Sequence, residues 1–145
     1  MASYFDSSAI LEVLLGRPRS EDVVECWEAD RCRTGSILLE AESVTVLRRV
    51  AKQLKLKLEA PLVKKRLAAL DAYLEAMVIR EVDRDVVDVV RRTPALANCR
   101  SLDALHLATA ILFRQNLDEP LEICALDGRM RALAATLGFA VTPRA

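Results

Sequence analysis

Tyr4-Phe5-Asp6-Ser7-Ser8-Ala9-Ile10-Leu11 is an apolar pair, an acid, two hydroxyls and an apolar run. Ser3–Phe5 has the composition of a short strand, and Ser8–Leu15 that of a helix stopped by Gly16 and Pro18. An acid therefore stands where a strand gives way to a helix. Outward from this point the same alternation recurs. Ser20, followed by Glu21 and Asp22, caps a helix to about Arg33. Thr34-Gly35 reads as a turn, Ser36–Leu39 as a strand and Glu42–Leu56 as an amphipathic helix. Pro61 opens a helix to about Ala76, Met77–Val82 is a strand, and Arg84–Arg92 is a short helix ended by Thr93-Pro94. After a loop over Ala95–Arg100 come a helix Ser101–Asn116 with a serine cap and a strand Leu121–Ala125. A helix Arg129–Leu137 closed by Gly138 and a last strand Phe139–Thr142 complete the order. Strands separated by helices predict an α/β fold, a three-layer α/β/α sandwich on a mostly parallel five-stranded sheet. The high helical content keeps an all-α arrangement as the competing reading.

The chain has 145 residues, 52% of them hydrophobic, which fits one domain over 1–145 with a substantial core and excludes disorder. Its 21 basic and 21 acidic residues cancel, so a generally cationic nucleic-acid coat is excluded. The balance hides a basic segment. Residues 48–66 carry a net charge of +7, between residues 1–47 at −5 and residues 67–145 at −2. No basic leader opens the chain and no apolar run reaches the roughly 20 residues of a membrane span, so the expected compartment is the cytoplasm. Cys26, Cys32, Cys99 and Cys124 form no CxxC pair and His106 is the one histidine, a poor zinc set.

Ligands of open α/β sheets sit at the carboxyl ends of the strands, where strand order reverses. Asp6 ends the first strand, and Asp127 follows Ile123-Cys124-Ala125-Leu126. Glu42 lies three residues past Ile37-Leu38-Leu39, and Asp103 is in the first turn of the Ser101 helix. Singly, each acid is explained by helix capping or by the helix dipole. Jointly, four carboxylates without matching Lys or Arg at those strand ends repel one another, and a hard divalent cation relieves that cost.

At these residues the chain resembles PIN domains. Tyr4 to Leu11 is similar to their opening motif. Leu39 to Arg49 resembles their second motif, with Glu42 and an arginine seven residues later; Glu40 competes as the acid. Ser101-Leu102-Asp103-Ala104-Leu105-His106-Leu107-Ala108-Thr109-Ala110 is similar to the third and most specific motif. Ala125-Leu126-Asp127-Gly128-Arg129-Met130 with Leu137-Gly138-Phe139 resembles the closing one, although Gly128 stands where a larger residue is common. Size and motif style look like VapC-type toxins of toxin–antitoxin pairs. The resemblance implies an endoribonuclease in which Asp6, Glu42, Asp103 and Asp127 hold one or two Mg²⁺ or Mn²⁺ ions. A metal-activated water would attack phosphorus and leave 3′-hydroxyl and 5′-phosphate ends. It also implies an RNA substrate, a cognate antitoxin and a homodimer, with no membrane partner.

Arg48, Arg49 and Lys52 recur near helical spacing, and Arg49 lies two turns beyond Glu42, about 10–11 Å along the helix. They read as an RNA phosphate rail or as a solvated face. Ser8 reads as a helix cap or as a hydroxyl in the metal shell. Thr109 reads as packing. His106 reads as a packed helix histidine with one hydrogen bond rather than a general base. Trp27 reads as a core or partner contact. Two other functions compete: a non-catalytic RNA- or protein-binding module of the same fold, and an Asp-dependent phosphohydrolase. Against the latter, Ser8 stands where a second catalytic Asp is required.

Overall fold

The structure is a computed structural model that describes residues 1–144. Strand β1 (Ala2–Phe5) is buried at all four residues and forms the centre of a five-stranded sheet. It pairs in parallel with β2 (Cys32–Ser36) on one side and β4 (Leu121–Cys124) on the other. Strand β3 (Val78–Arg80) extends the first side and β5 (Ala140–Thr142) the second, both in parallel. The order is β3-β2-β1-β4-β5, so the chain winds outward one way and then crosses back over β1. The reversal falls between β1 and β4.

Among the described residues seven α-helices cover the sheet: α1 (Ser7–Leu14), α2 (Ser20–Ala29), α3 (Ile37–Gln53), α4 (Pro61–Glu75), α5 (Arg84–Arg92), α6 (Ser101–Asn116) and α7 (Gly128–Thr136). Strand side chains alternate between faces. Tyr4, Leu121 and Ile123 pack with Val86 and Val89 of α5, Leu107 and Ile111 of α6, and Met130 of α7. Phe5 and Cys124 pack with Ile10 of α1, Val23 of α2, Leu47 of α3 and Leu70 of α4. Trp27 belongs to this second layer, its ring 5.1 Å from Phe5 and 4.7 Å from Tyr73.

The three-layer expectation holds, and the sheet is parallel throughout. Several local readings are corrected. Helix α2 ends at Ala29 rather than near Arg33, which frees Cys32 and Arg33 to pair with Ala2 and Ser3. Thr34-Gly35 is not a turn but the middle of β2, and Ile37-Leu38-Leu39 is helix rather than strand. Ser36 decides this boundary: its side chain accepts from Leu38 N at 3.1 Å and starts α3. The buried stripe Leu39, Ser43, Leu47 and Ala51 then repeats every four residues, the helical period. Glu42 accordingly sits in the second turn of its helix. Gly35 pairs in register with Ile79 of β3, and its nearest side-chain neighbour is the flexible end of Met77. Ser20 and Ser101 do not cap. The cap positions fall to Arg19 and Arg100, and the Ser20 hydroxyl instead donates to the carbonyls of Glu12 and Arg17. The expected loop at 95–100 contains a 3₁₀ turn, Pro94–Asn98. Among the described residues no helix is long and apolar enough to cross a membrane.

Candidate active site

Asp6, Glu42, Asp103 and Asp127 line one cleft of about 360 Å³ at the carboxyl edge of the sheet. Glu40 is exposed and outside it, so Glu42 is the acid the cleft takes from α3.

Asp6 leaves β1 as the N-cap of α1, accepting from Ala9 N at 3.3 Å. It is 4% exposed, and no Lys or Arg pairs with it among the described residues. Burial pushes its carboxyl up to about 6, with the Glu42 charge adding to the effect; the Ser8 hydroxyl, His106 and the Ala9 N–H oppose it. Asp127 leaves β4 as the N-cap of α7, accepting from Met130 N at 3.0 Å. Asp103, in the first turn of α6, is also raised by burial and then by the Asp127 charge, while His106 and Arg100 oppose.

Ser8 does not cap the helix, because the cap is Asp6. Its hydroxyl donates to Asp6 Oδ1 at 2.6 Å. The same oxygen accepts the backbone N–H groups of Leu126 at 2.9 Å and Asp127 at 3.3 Å. One hydroxyl thus ties the two strand ends that carry Asp6 and Asp127, across the point of strand reversal.

His106 is buried at 1% exposure and makes two side-chain contacts rather than the single one expected. Its Nδ1 lies 2.6 Å from the Tyr4 hydroxyl and its Nε2 2.5 Å from Glu42 Oε1. Burial, with the charges of Asp6 and Glu42, raises the Tyr4 phenol well above its usual range. Thr109 packs as expected, donating to Leu105 O at 2.7 Å.

Arg48, Arg49 and Lys52 are exposed on α3, and none lines the cleft. Arg100 and Arg129 do. The sequence reading missed both, although each stands beside an acidic helix start: Arg100 just before Ser101, and Arg129 two residues after Asp127. An adjoining cavity of about 430 Å³ shares Arg100, Asp103 and Arg129 with the cleft.

The donor set is hard oxygen throughout, and its deepest member is a buried carboxylate without a cationic partner. That chemistry fits Mg²⁺ or Mn²⁺. Among the described residues no three His, Cys, Asp or Glu side chains are gathered closely enough to ligate one ion together. The fit is therefore to an ion that keeps part of its water shell, as Mg²⁺ commonly does.

Comparison with known proteins covers the same span. The family model of the PIN domain matches residues 3–135. The chain is 34% identical over 140 residues to "Ribonuclease VapC46" of Mycobacterium tuberculosis, covering 97% of this chain and 95% of that protein. Mycobacterium tuberculosis VapC20, described as a sarcin-ricin loop cleaving toxin, superposes with a TM-score of 0.65 at 16% identity, over 96% of this chain and 97% of that one. VapBC2 of Rickettsia felis, bound to a promoter DNA fragment, gives 0.67 at 10% identity over 98% of each chain. A toxin–antitoxin complex from Klebsiella pneumoniae gives 0.63 at 18% identity, over 90% of this chain and 91% of its counterpart. At these identities the structural likenesses speak for the fold.

Proposed function

The chain belongs to the PIN-domain family, and from that premise we propose that it is a Mg²⁺- or Mn²⁺-dependent endoribonuclease, the toxin of a toxin–antitoxin pair. The observation that carries this reading is the convergence of Asp6, Glu42, Asp103 and Asp127 on one cleft at the strand reversal.

Those four side chains would hold the ion, directly or through water. Such an ion, when bound, lowers the pKa of water and offsets charge on the scissile phosphate. Asp6 brings a negative charge into a nearly water-free wall, and Ser8 holds it in register with Asp127. Arg100 and Arg129 meet the phosphates of the strand in the cleft. Arg48, Arg49 and Lys52 would hold RNA farther out along α3. The reading needs no side-chain nucleophile. An antitoxin, a homodimer, a cytoplasmic setting and one domain over 1–145 go with it. The exposed Leu54, Leu58 and Leu62 where α3 passes to α4 offer apolar surface for such partners.

The test is cleavage of single-stranded RNA with Mg²⁺ or Mn²⁺ against an EDTA control. Asp6→Asn and Asp103→Asn should each lose orders of magnitude in rate while keeping the fold by circular dichroism. Cleavage by Asp6→Asn at the parental rate overturns the assignment. RNA binding without cleavage by the parent points to the non-catalytic module, and phosphate release from p-nitrophenyl phosphate to a phosphohydrolase.

A further inference from the structure

We propose that His106, anchored on Tyr4, is a positioning residue that holds Glu42 by one oxygen and aims the other into the cleft. This rests on the metal-dependent reading of the four acids and deepens it.

Asp6 and Asp127 have short side chains locked by the backbone N–H groups of their own helices. Glu42 has neither advantage. Its longer chain projects from the second turn of α3, its side chain is a quarter exposed, and no backbone group holds it among the described residues. His106 supplies the missing restraint from the opposite layer, since α6 and α3 pack on different faces of the sheet. The imidazole is itself fixed. It is nearly fully buried, and its Nδ1 meets a phenol on the central strand, 1% exposed. A phenol at neutral pH carries a hydrogen and donates it to Nδ1. The remaining ring hydrogen is then on Nε2, where the Glu42 carboxylate accepts it. One tautomer satisfies both contacts and occupies Oε1, leaving Oε2 to face the cleft. A histidine kept only for packing would leave metal affinity unchanged when replaced by a side chain that packs. Hydrogen bonds that orient ligating carboxylates carry about 10–100-fold in metal affinity.

The experiment measures Mn²⁺ binding to the purified protein by the electron paramagnetic resonance signal of free Mn²⁺. Thermal unfolding and RNA affinity in EDTA check that each variant is folded. His106→Leu should weaken Mn²⁺ binding about 10–100-fold while keeping the parental RNA affinity in EDTA. His106→Gln, whose amide nitrogen can take the place of Nε2, should restore most of the loss. Tyr4→Phe, which removes only the anchor, should fall between. Parental Mn²⁺ affinity in folded His106→Leu overturns the inference. If that variant does not fold, parental affinity in Tyr4→Phe, or a full loss in His106→Gln, overturns it. If Asp6→Asn binds Mn²⁺ as the parent does, it is the reading of the acids as metal ligands that fails.

Discussion

Asp6 is asked to be two things at once, a helix cap and an isolated buried charge. Its carboxyl is raised from 3.8 to about 6 in the folded chain. The folded state therefore binds this proton more tightly than the unfolded state. Stability from this group is greatest below about pH 4, falls as pH rises to about 6, and stays lower above that. The shift corresponds to a penalty of about 3 kcal/mol at neutral pH in metal-free protein. Asn caps helices as well as Asp does. In EDTA at pH 7.5, Asp6→Asn should thus resist urea better than the parent, and the advantage should vanish near pH 4. Mn²⁺ should stabilise the parent and not the variant. Equal urea midpoints at both pH values would refute the claim. Ser8→Ala should act in the opposite direction. It strips the acceptor from two backbone N–H groups and a donor from Asp6, and a loss of about 1–3 kcal/mol is expected by chemical denaturation.

Helix α3 shows where element-level reading worked and where it did not. The bounds of α5 and α6 were legible because Thr93-Pro94 punctuates the chain between two clear amphipathic patterns. Ile37-Leu38-Leu39 was not, because three apolar residues in a row look the same in a buried strand and a buried helix. The hydroxyl of Ser36 settles the choice, and that bond forms only once the chain has turned. Ser36→Ala should cost about 1 kcal/mol of stability by urea unfolding. Gly35 was misread because its place in a strand comes from pairing with Ile79 of β3, far along the chain.

Over the whole molecule, neutrality conceals where the positive charge is used. The four acids were legible because strand ends and helix starts can be read locally. The Tyr4–His106–Glu42 contact was not, because its members lie on three elements, the first pair 102 positions apart in the chain and the second 64. Arg100 and Arg129 were not legible because single arginines at helix starts carry no pattern, and only the packing of α6 beside α7 brings both to the cleft. Replacing each by Gln should weaken single-stranded RNA binding regardless of sequence. Each change should also reduce the slope of log affinity against log salt by about 0.7, measured by fluorescence anisotropy over a KCl series. Unchanged slopes would remove both from the RNA path.

The central strand β1 pairs with β4, a strand the chain reaches only after β2, β3 and six α-helices. Ser8 waits for the amides of residues 126 and 127 before Asp6 has its opposite wall. A folding chain in which β4 has not yet docked therefore has Asp6 in place without the wall that Asp127 supplies.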